Sequence, residues 1–306
     1  MGYLFVAFVF LFGSAIGSFL NVVICRLETG EGIVKKRSHC VRCGQTLNWY
    51  ELIPIFSFLG LLGRCRSCRE KISWQYPLVE IVTGLLFVLT FYLNYELRIT
   101  NYGYELFAFS MIHDLFFIIQ LLFHWVIISC LIVIFVYDLR HYIIPDVVLF
   151  PAVGVVFVYR IVEVFFNPSL ALPLIRGGKG WGGFGLWQQT ISYWPSAIGQ
   201  FSPYLFSALC ASVFFLIIIL LTRGKGMGLG DAKLAFLMGL LLGWPNILVA
   251  LFIAFFVGAT VGVGLIFWKK KTMKSQIPFG PFLIGGTLVM LFWGQFFLDW
   301  YGSLYL

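Results

Sequence analysis

The apolar run YLFVAFVFLFGSAIGSFLNVVI, residues Tyr3–Ile24, indicates the structural class of this chain. It contains no charged residue and reaches the roughly 20 residues that a helix needs to cross a bilayer. A cleaved signal peptide is the alternative, but no basic residue precedes this run and it is longer than the usual 7–15-residue apolar region. We therefore expect a membrane helix that stays in the mature protein.

Seven further apolar runs follow the first one along the chain. They are Pro77–Asn94, Ile118–Tyr137, Ile143–Phe166, Pro203–Thr222, Ala232–Gly243, Asn246–Trp268 and Phe282–Leu298. Hydrophobic residues make up 60% of the 306 positions and charged residues 11%, against about 45–50% and about 25% in soluble domains. This composition excludes a soluble globule, a disordered chain and a disulfide-rich secreted scaffold. It predicts an all-α, polytopic membrane helical bundle of about eight transmembrane helices.

The positive charge of the chain, net +8, is unevenly placed along the sequence. In a soluble protein this surplus would suggest nucleic acid as a partner, but in a membrane protein it reflects the cytoplasmic enrichment of Lys and Arg. In an eight-span arrangement with the N-terminus outside, all but four of the 21 basic residues fall in inner loops. The four exceptions are Arg98, Arg160, Arg176 and Lys179. We predict that both termini lie outside, that the lipid bilayer is a partner and that nucleic acid is not.

Four of the seven cysteines form two CxxC pairs, Cys40–Cys43 and Cys65–Cys68, in a loop predicted to be cytoplasmic. Two such pairs can supply four thiolates to one tetrahedral metal ion, as in zinc ribbons. A disulfide does not persist in the cytoplasm, and a redox dithiol needs only one of the pairs. The spacing therefore favours a structural zinc site over a redox centre, because four protein ligands leave no position for a substrate.

Acidic residues are scarce, and a few of them fall at the predicted inner ends of membrane helices. Asp138 closes one apolar run, Asp146 follows it, and Asp231 precedes another. Acids at membrane depth are functional candidates, although Asp231 could simply cap a helix beginning at Ala232. Two carboxyls within reach of each other share a proton and can activate water. Spacing alone does not decide whether Asp138 or Asp146 is the partner of Asp231.

Glycines flank the second acid in Gly228-Leu-Gly230-Asp231. Because glycine has no side chain, Gly228 and Gly230 allow backbone and substrate to approach the acid closely. We therefore count both glycines as supporting residues of the candidate site.

Several motifs in order along the chain resemble those of the prepilin peptidases, the bacterial type IV leader peptidases of the membrane aspartic class. They are Gly17–Ile24 with Arg26-Leu27, Trp49–Pro54, Tyr76–Glu80, the GxGD motif Gly228–Asp231 with Lys233, and Ile277–Pro281. The resemblance implies that Asp138 and Asp231 are the catalytic pair, with Asp146 in support. It also implies that Cys40, Cys43, Cys65 and Cys68 bind zinc.

The same resemblance implies substrates and an organisation for the whole chain. Family substrates are type IV prepilins and type II secretion pseudopilins, which are cut after a Gly at the cytoplasmic face of the inner membrane. Many members then N-methylate the new terminus with S-adenosylmethionine, for which the motifs name no binding residues in this chain. We expect a first transmembrane helix over 1–24, a zinc-binding loop over 25–76 and a catalytic core over 77–306, with a periplasmic insertion at 167–203. Both termini would be periplasmic.

Two other classes of protein could use the same acids. A proton- or cation-coupled transporter would employ them as relays, but it would also carry polar residues along several spans, and these spans are almost wholly apolar. A GxGD protease of the signal-peptide-peptidase or presenilin type usually carries its first acid inside a span. Here the first acid opens the stretch Asp138–Asp146 at an inner turn. Prepilin peptidase activity therefore remains the main expectation.

Overall fold

The computed structural model describes residues 3–30, 37–102, 110–166, 184–224, 226–267 and 277–303. These residues form α1 (Tyr3–Thr29), α2 (Phe56–Gly60), α3 (Gln75–Tyr102), α4 (Ser110–His141), α5 (Asp146–Phe166), α6 (Phe184–Leu221), α7 (Leu229–Leu242), α8 (Asn246–Phe267) and α9 (Gly280–Ser303). A short 3₁₀ turn covers Trp49–Leu52. The described residues contain isolated β-bridges but no strand. The all-α prediction is therefore confirmed.

Within the described part of the chain, five helical segments are long and apolar enough to cross a membrane. They are Tyr3–Thr29, Gln75–Tyr95, Leu115–His141, Phe201–Leu221 and Asn246–Phe267. The apolar part of α9, Gly280–Gly294, is shorter. With 14 residues, α7 is about 21 Å long at 1.5 Å per residue and falls short of a bilayer core of about 30 Å. The membrane-embedded class is confirmed, while the count of eight spans stays a prediction.

Two compact units divide the chain, Met1–Val136 and Tyr137–Leu306. In the first, α1 lies directly against α3 because glycines line their contact. A Cβ atom on Gly17 would lie 2.8 Å from the Cα of Glu80, and one on Gly84 would lie 2.7 Å from Ser14 Oγ. Small residues let membrane helices approach this closely. Glu80, on the same face of α3, is buried and accepts a 2.8 Å hydrogen bond from the backbone of Ile55 in the loop that carries the cysteines.

In the second unit, α7 packs against α5, α6 and α9, and α8 packs against α9. The closest approach is at Gly239, where a Cβ atom would lie 2.5 Å from the Cα of Ala208 in α6. Nearly all of α7 from Leu234 onward is buried. This short helix is thus enclosed by its neighbours, and its first turn carries Asp231.

Two details of the second unit bear on the sequence predictions. Arg160 and Glu163 lie three positions apart, a helical spacing that predicts an ion pair, and the structure confirms this pair with Arg160 Nη1 2.5 Å from Glu163 Oε2. The predicted insertion loop over 167–203 is helical from Phe184 onward, since α6 begins there. Residues 167–183 lie outside the described part of the chain.

Candidate functional site

Asp138 lies in the last turn of α4 and is almost completely buried, with 4% of its surface exposed. Its Oδ2 atom is buried and has no hydrogen-bond partner among the described residues. The carboxyl group faces Gly280 at the start of α9, where a Cβ atom would come within 2.5 Å of Oδ2. Gly280 therefore leaves just enough space for this carboxyl, and one of its oxygens is available for chemistry.

Asp231 lies in the first turn of α7, which begins at Leu229 rather than at Ala232. Its Oδ2 accepts a hydrogen bond of 3.2 Å from the backbone N–H of Gly228. The carboxylate thus binds a free N–H at the positive end of the helix, as a capping residue does. The side chain of Asp231 is only partly buried, so its carboxylate can cap the helix and still be reached by a substrate or water.

A single side chain, Ile144, connects the surroundings of the two acids. A Cβ atom on Gly230 would lie 3.1 Å from Ile144 Cβ, and one on Gly280 would lie 3.6 Å from Ile144 Cδ1. The ends of α4, α7 and α9 therefore meet at one place, with the carboxyl group of Asp138 beside Gly280 and the first turn of α7, which carries Asp231, against the same Ile144 side chain.

Asp146, the other candidate partner, occupies a different position. It is the first residue of α5, and both of its carboxylate oxygens accept hydrogen bonds from Lys233 Nζ, at 2.8 and 2.7 Å. Its side chain is half exposed. This carboxylate is already occupied by a cation, whereas Asp138 has a free oxygen.

The two supporting glycines have different surroundings. Around Gly228 a Cβ atom would meet nothing closer than 3.9 Å, so the backbone beside Asp231 is open. Gly230 instead packs closely on Ile144. Gly280, Ile144 and Lys233 were not expected as site residues, although two of them lie in the quoted motifs. For Gly280, the sequence signal was its position directly before Pro281 in the motif Ile277–Pro281.

The four cysteines of the loop come together in the first unit. Their Sγ atoms all lie within 4.8 Å of one another, and those of Cys40 and Cys68 are 3.9 Å apart. Tetrahedral Zn–S bonds of about 2.3 Å place neighbouring sulfurs about 3.8 Å apart. All seven cysteines are free thiols. The donor set therefore fits a four-thiolate metal ion and not a disulfide pair.

Both CxxC turns are built in the same way, which the sequence did not reveal beyond the spacing. Cys40 N–H donates to Gln45 O at 2.9 Å and Cys65 N–H donates to Glu70 O at 2.8 Å. Each turn then passes through a residue with positive φ, Gly44 at 71° and Arg69 at 57°. The repeated geometry aims two sulfurs from each turn at one point.

Backbone N–H groups of Cys68 and Ser67 stabilise the thiolate of Cys65 and lower its pKa from 9.0 to about 7. Metal ions bind cysteine as the thiolate. Although the backbone N–H of Glu70 lowers it, desolvation and the other three thiols of the cluster raise the pKa of Cys68 to about 11. The four thiols therefore oppose full ionisation, which a bound cation would favour.

The fold and the meeting of two aspartates at helix ends define a polytopic helical membrane protein with an acidic site. The family model "Type IV leader peptidase family" matches residues 125–263, and "Bacterial Peptidase A24 N-terminal domain" matches residues 11–94. The chain belongs to the type IV leader peptidase family.

Curated relatives resemble the chain over almost its whole length. The "Prepilin leader peptidase/N-methyltransferase" of Aeromonas hydrophila is 31% identical, over 98% of this chain and 94% of that protein. The protein of the same name from Bacillus subtilis is 28% identical, over 95% and 96% respectively. That from Xanthomonas campestris is 30% identical, over 94% and 91%. No solved structure matches the chain.

Proposed function

We propose that this chain is a prepilin leader peptidase, an aspartic endopeptidase of the bacterial inner membrane. It removes the basic leader of type IV prepilins or type II secretion pseudopilins after a Gly, at the cytoplasmic face. Family membership and the names of the relatives support this proposal. The structural observation that carries it is the buried carboxyl of Asp138, whose Oδ2 has no partner among the described residues, beside the Ile144 side chain on which the first turn of α7 with Asp231 also packs.

The two aspartates divide the work of peptide hydrolysis between them. Because like charges in close range oppose each other, the pair holds one proton between its two carboxyls. The ionised carboxylate takes a proton from water, and the water oxygen attacks the carbonyl carbon of the Gly before the scissile bond. The protonated carboxyl gives its proton to the leaving nitrogen, and the carbon–nitrogen bond breaks. Gly228, where a Cβ atom would meet nothing closer than 3.9 Å, leaves room for the extended substrate beside Asp231.

The decisive experiment replaces each acid singly in the full-length protein. Asp138→Asn and Asp231→Asn should each abolish cleavage of a purified prepilin with a Gly–Phe junction, scored by mass spectrometry of its N-terminus. Asp146→Asn is the matched control, because Lys233 already occupies that carboxylate, and it should still cleave. Full cleavage by Asp138→Asn or Asp231→Asn would refute the paired-aspartate mechanism.

We propose that the same chain also N-methylates the new N-terminus with S-adenosylmethionine. The support is the double name carried by the relatives. No residue of this chain is assigned to the methyl donor. Mass spectrometry of the cleaved product with and without S-adenosylmethionine tests this activity, because a transferred methyl group adds a defined mass to the mature N-terminus alone.

We propose that Cys40, Cys43, Cys65 and Cys68 bind one structural zinc ion. Four thiolates complete its coordination, so the metal stabilises the loop and takes no part in hydrolysis. The distribution of Lys and Arg supports a cytoplasmic position for this loop and periplasmic termini. Reporter fusions at the C-terminus and within 25–76 test that orientation, since the two reporters should respond to opposite sides of the membrane.

A further inference from the structure

The carbonyl groups at the C-terminal end of α7 accept hydrogen bonds from side chains of three other helices. The last four carbonyls of a helix have no partner within it, and those of α7 belong to the buried residues Gly239, Leu240, Leu241 and Leu242. Ser207 Oγ donates to Gly239 O at 2.8 Å, and Asn246 Nδ2 donates to Leu242 O at 3.4 Å. Arg160 donates from Nε to Leu240 O at 3.4 Å and from Nη2 to Leu241 O. All four carbonyls are thus paired.

Arg160 supplies two of these four bonds and is itself firmly held. Its side chain is 11% exposed, and its Nη1 donates to Glu163 Oε2 at 2.5 Å. Its guanidinium carbon lies 3.8 Å from the centre of the Tyr204 ring. A cation at this end of α7 also interacts favourably with the negative end of the helix dipole. The guanidinium is therefore held by a carboxylate, an aromatic ring and two carbonyls together.

The helix whose C-terminal carbonyls Arg160 holds, α7, is also the helix that carries Asp231 in its first turn. From Asp231 to Leu242 the axis of α7 is about 16 Å long at 1.5 Å per residue. A displacement or rotation of the C-terminal end is transmitted along a rigid helix of three turns to its first turn. Tyr204 fixes the exit from α7 as well, because a Cβ atom on Gly243, whose φ is +69°, would lie 2.7 Å from its ring.

We propose that Arg160 is a positioning residue for the peptidase, which holds the C-terminal carbonyls of α7 and thereby fixes the place of Asp231 relative to Asp138. The inference rests on the proposed function. Arg160 does not touch the reacting groups, so its effect on the reaction passes through α7. Loss of its two hydrogen bonds leaves buried carbonyls unpaired and lets the end of α7 shift.

The test uses the full-length protein in nanodiscs with a purified prepilin. Arg160→Gln should lower kcat by about 10- to 100-fold, the effect of misplacing a reacting group by about 1 Å, and leave KM within about twofold of the wild-type value, since the substrate-binding surface is unchanged. Arg160→Lys, which keeps the charge and one donor group, should recover part of the loss. Glu163→Gln should have the smaller effect, because the carbonyl bonds of Arg160 remain.

Two further measurements separate positioning from general stability and from the proposed activity. Gly84→Ala, which disturbs the contact of α1 with α3, serves as a destabilised control and should keep kcat near wild type. Hydrogen–deuterium exchange should be faster at amides 239–243 in Arg160→Gln, whether or not the protein cleaves prepilin. Wild-type kcat in Arg160→Gln, or an equal loss in Glu163→Gln or Gly84→Ala, would overturn the proposal, as would unchanged exchange. Absence of cleavage by the wild type would instead refute the proposed function.

Discussion

Lys233 binds both carboxylate oxygens of Asp146, at 2.8 and 2.7 Å, and so connects the first turn of α5 to the second turn of α7. This pair distinguishes two acids that lie eight positions apart in one stretch of sequence. The carboxylate of Asp146 is satisfied by a cation, while that of Asp138 is buried with an unpartnered oxygen. The geometry therefore supports Asp138 as the partner of Asp231.

We expect replacement of the Lys233–Asp146 pair to have a modest effect. Both side chains are partly exposed, 41% and 50%, and pairs of this kind contribute about 0.2–1 kcal/mol. Lys233→Met and Asp146→Asn should each lower kcat/KM by no more than about fivefold, which corresponds to that energy range. The double variant should lose less than the two single losses combined. Cleavage as low as that of Asp138→Asn would show that Asp146 takes part in the reaction.

Sequence spacing could not decide whether Asp138 or Asp146 is the partner of Asp231, because it does not say which way a side chain faces at a helix end. The sequence was sufficient to predict the helical membrane class and the cluster of the two CxxC pairs, since each depends on local pattern, and it named the acids as candidates. The i,i+3 spacing also predicted the pairing of Arg160 with Glu163. The bonds from Arg160 to the carbonyls of Leu240 and Leu241 could not be predicted, because they join residues about 80 positions apart through main-chain atoms that carry no sequence signal.

Gly280 should be required for catalysis, because its missing side chain makes room for the Asp138 carboxyl. In Gly280→Ala the new Cβ would lie 2.5 Å from Oδ2, so the carboxyl must move. We expect kcat to fall by about 100-fold, as for a displacement of about 1 Å, while the helix itself tolerates alanine well.

The matched control for Gly280 lies in the same helix. A Cβ atom on Gly285 would meet nothing within 4 Å. Gly285→Ala should therefore keep the wild-type kcat and unfold at or slightly above the wild-type temperature. Both variants are compared in the prepilin assay and in thermal unfolding. Equal activity of the two variants would show that the position of the Asp138 carboxyl is not critical.

The four-cysteine cluster should contain one zinc ion per chain in the purified protein, measured by plasma mass spectrometry. Serine at any of the four positions should release the metal or weaken its binding, since one thiolate ligand is lost. Cys210→Ser is the control, because Cys210 lies outside the cluster. A wild-type zinc content in Cys43→Ser and Cys68→Ser would contradict the assignment of the four ligands.

Gly239→Ala should destabilise the second unit, because the contact of α7 with α6 leaves no room for a methyl group. The added Cβ would lie 2.5 Å from the Cα of Ala208, and neither backbone can yield without moving its helix. Overpacking of this kind costs about 1–3 kcal/mol, which thermal unfolding in detergent should report as a lower Tm.

Gly154→Ala in α5 provides the comparison for that measurement, since a Cβ atom there would meet nothing within 4 Å. Alanine is favoured over glycine inside a helix by about 0.5–1 kcal/mol, so this variant should unfold at or above the wild-type temperature. The opposite signs of the two substitutions isolate the helix contact from the general effect of replacing glycine. A stable Gly239→Ala protein would mean that α6 and α7 are not in close contact at this point.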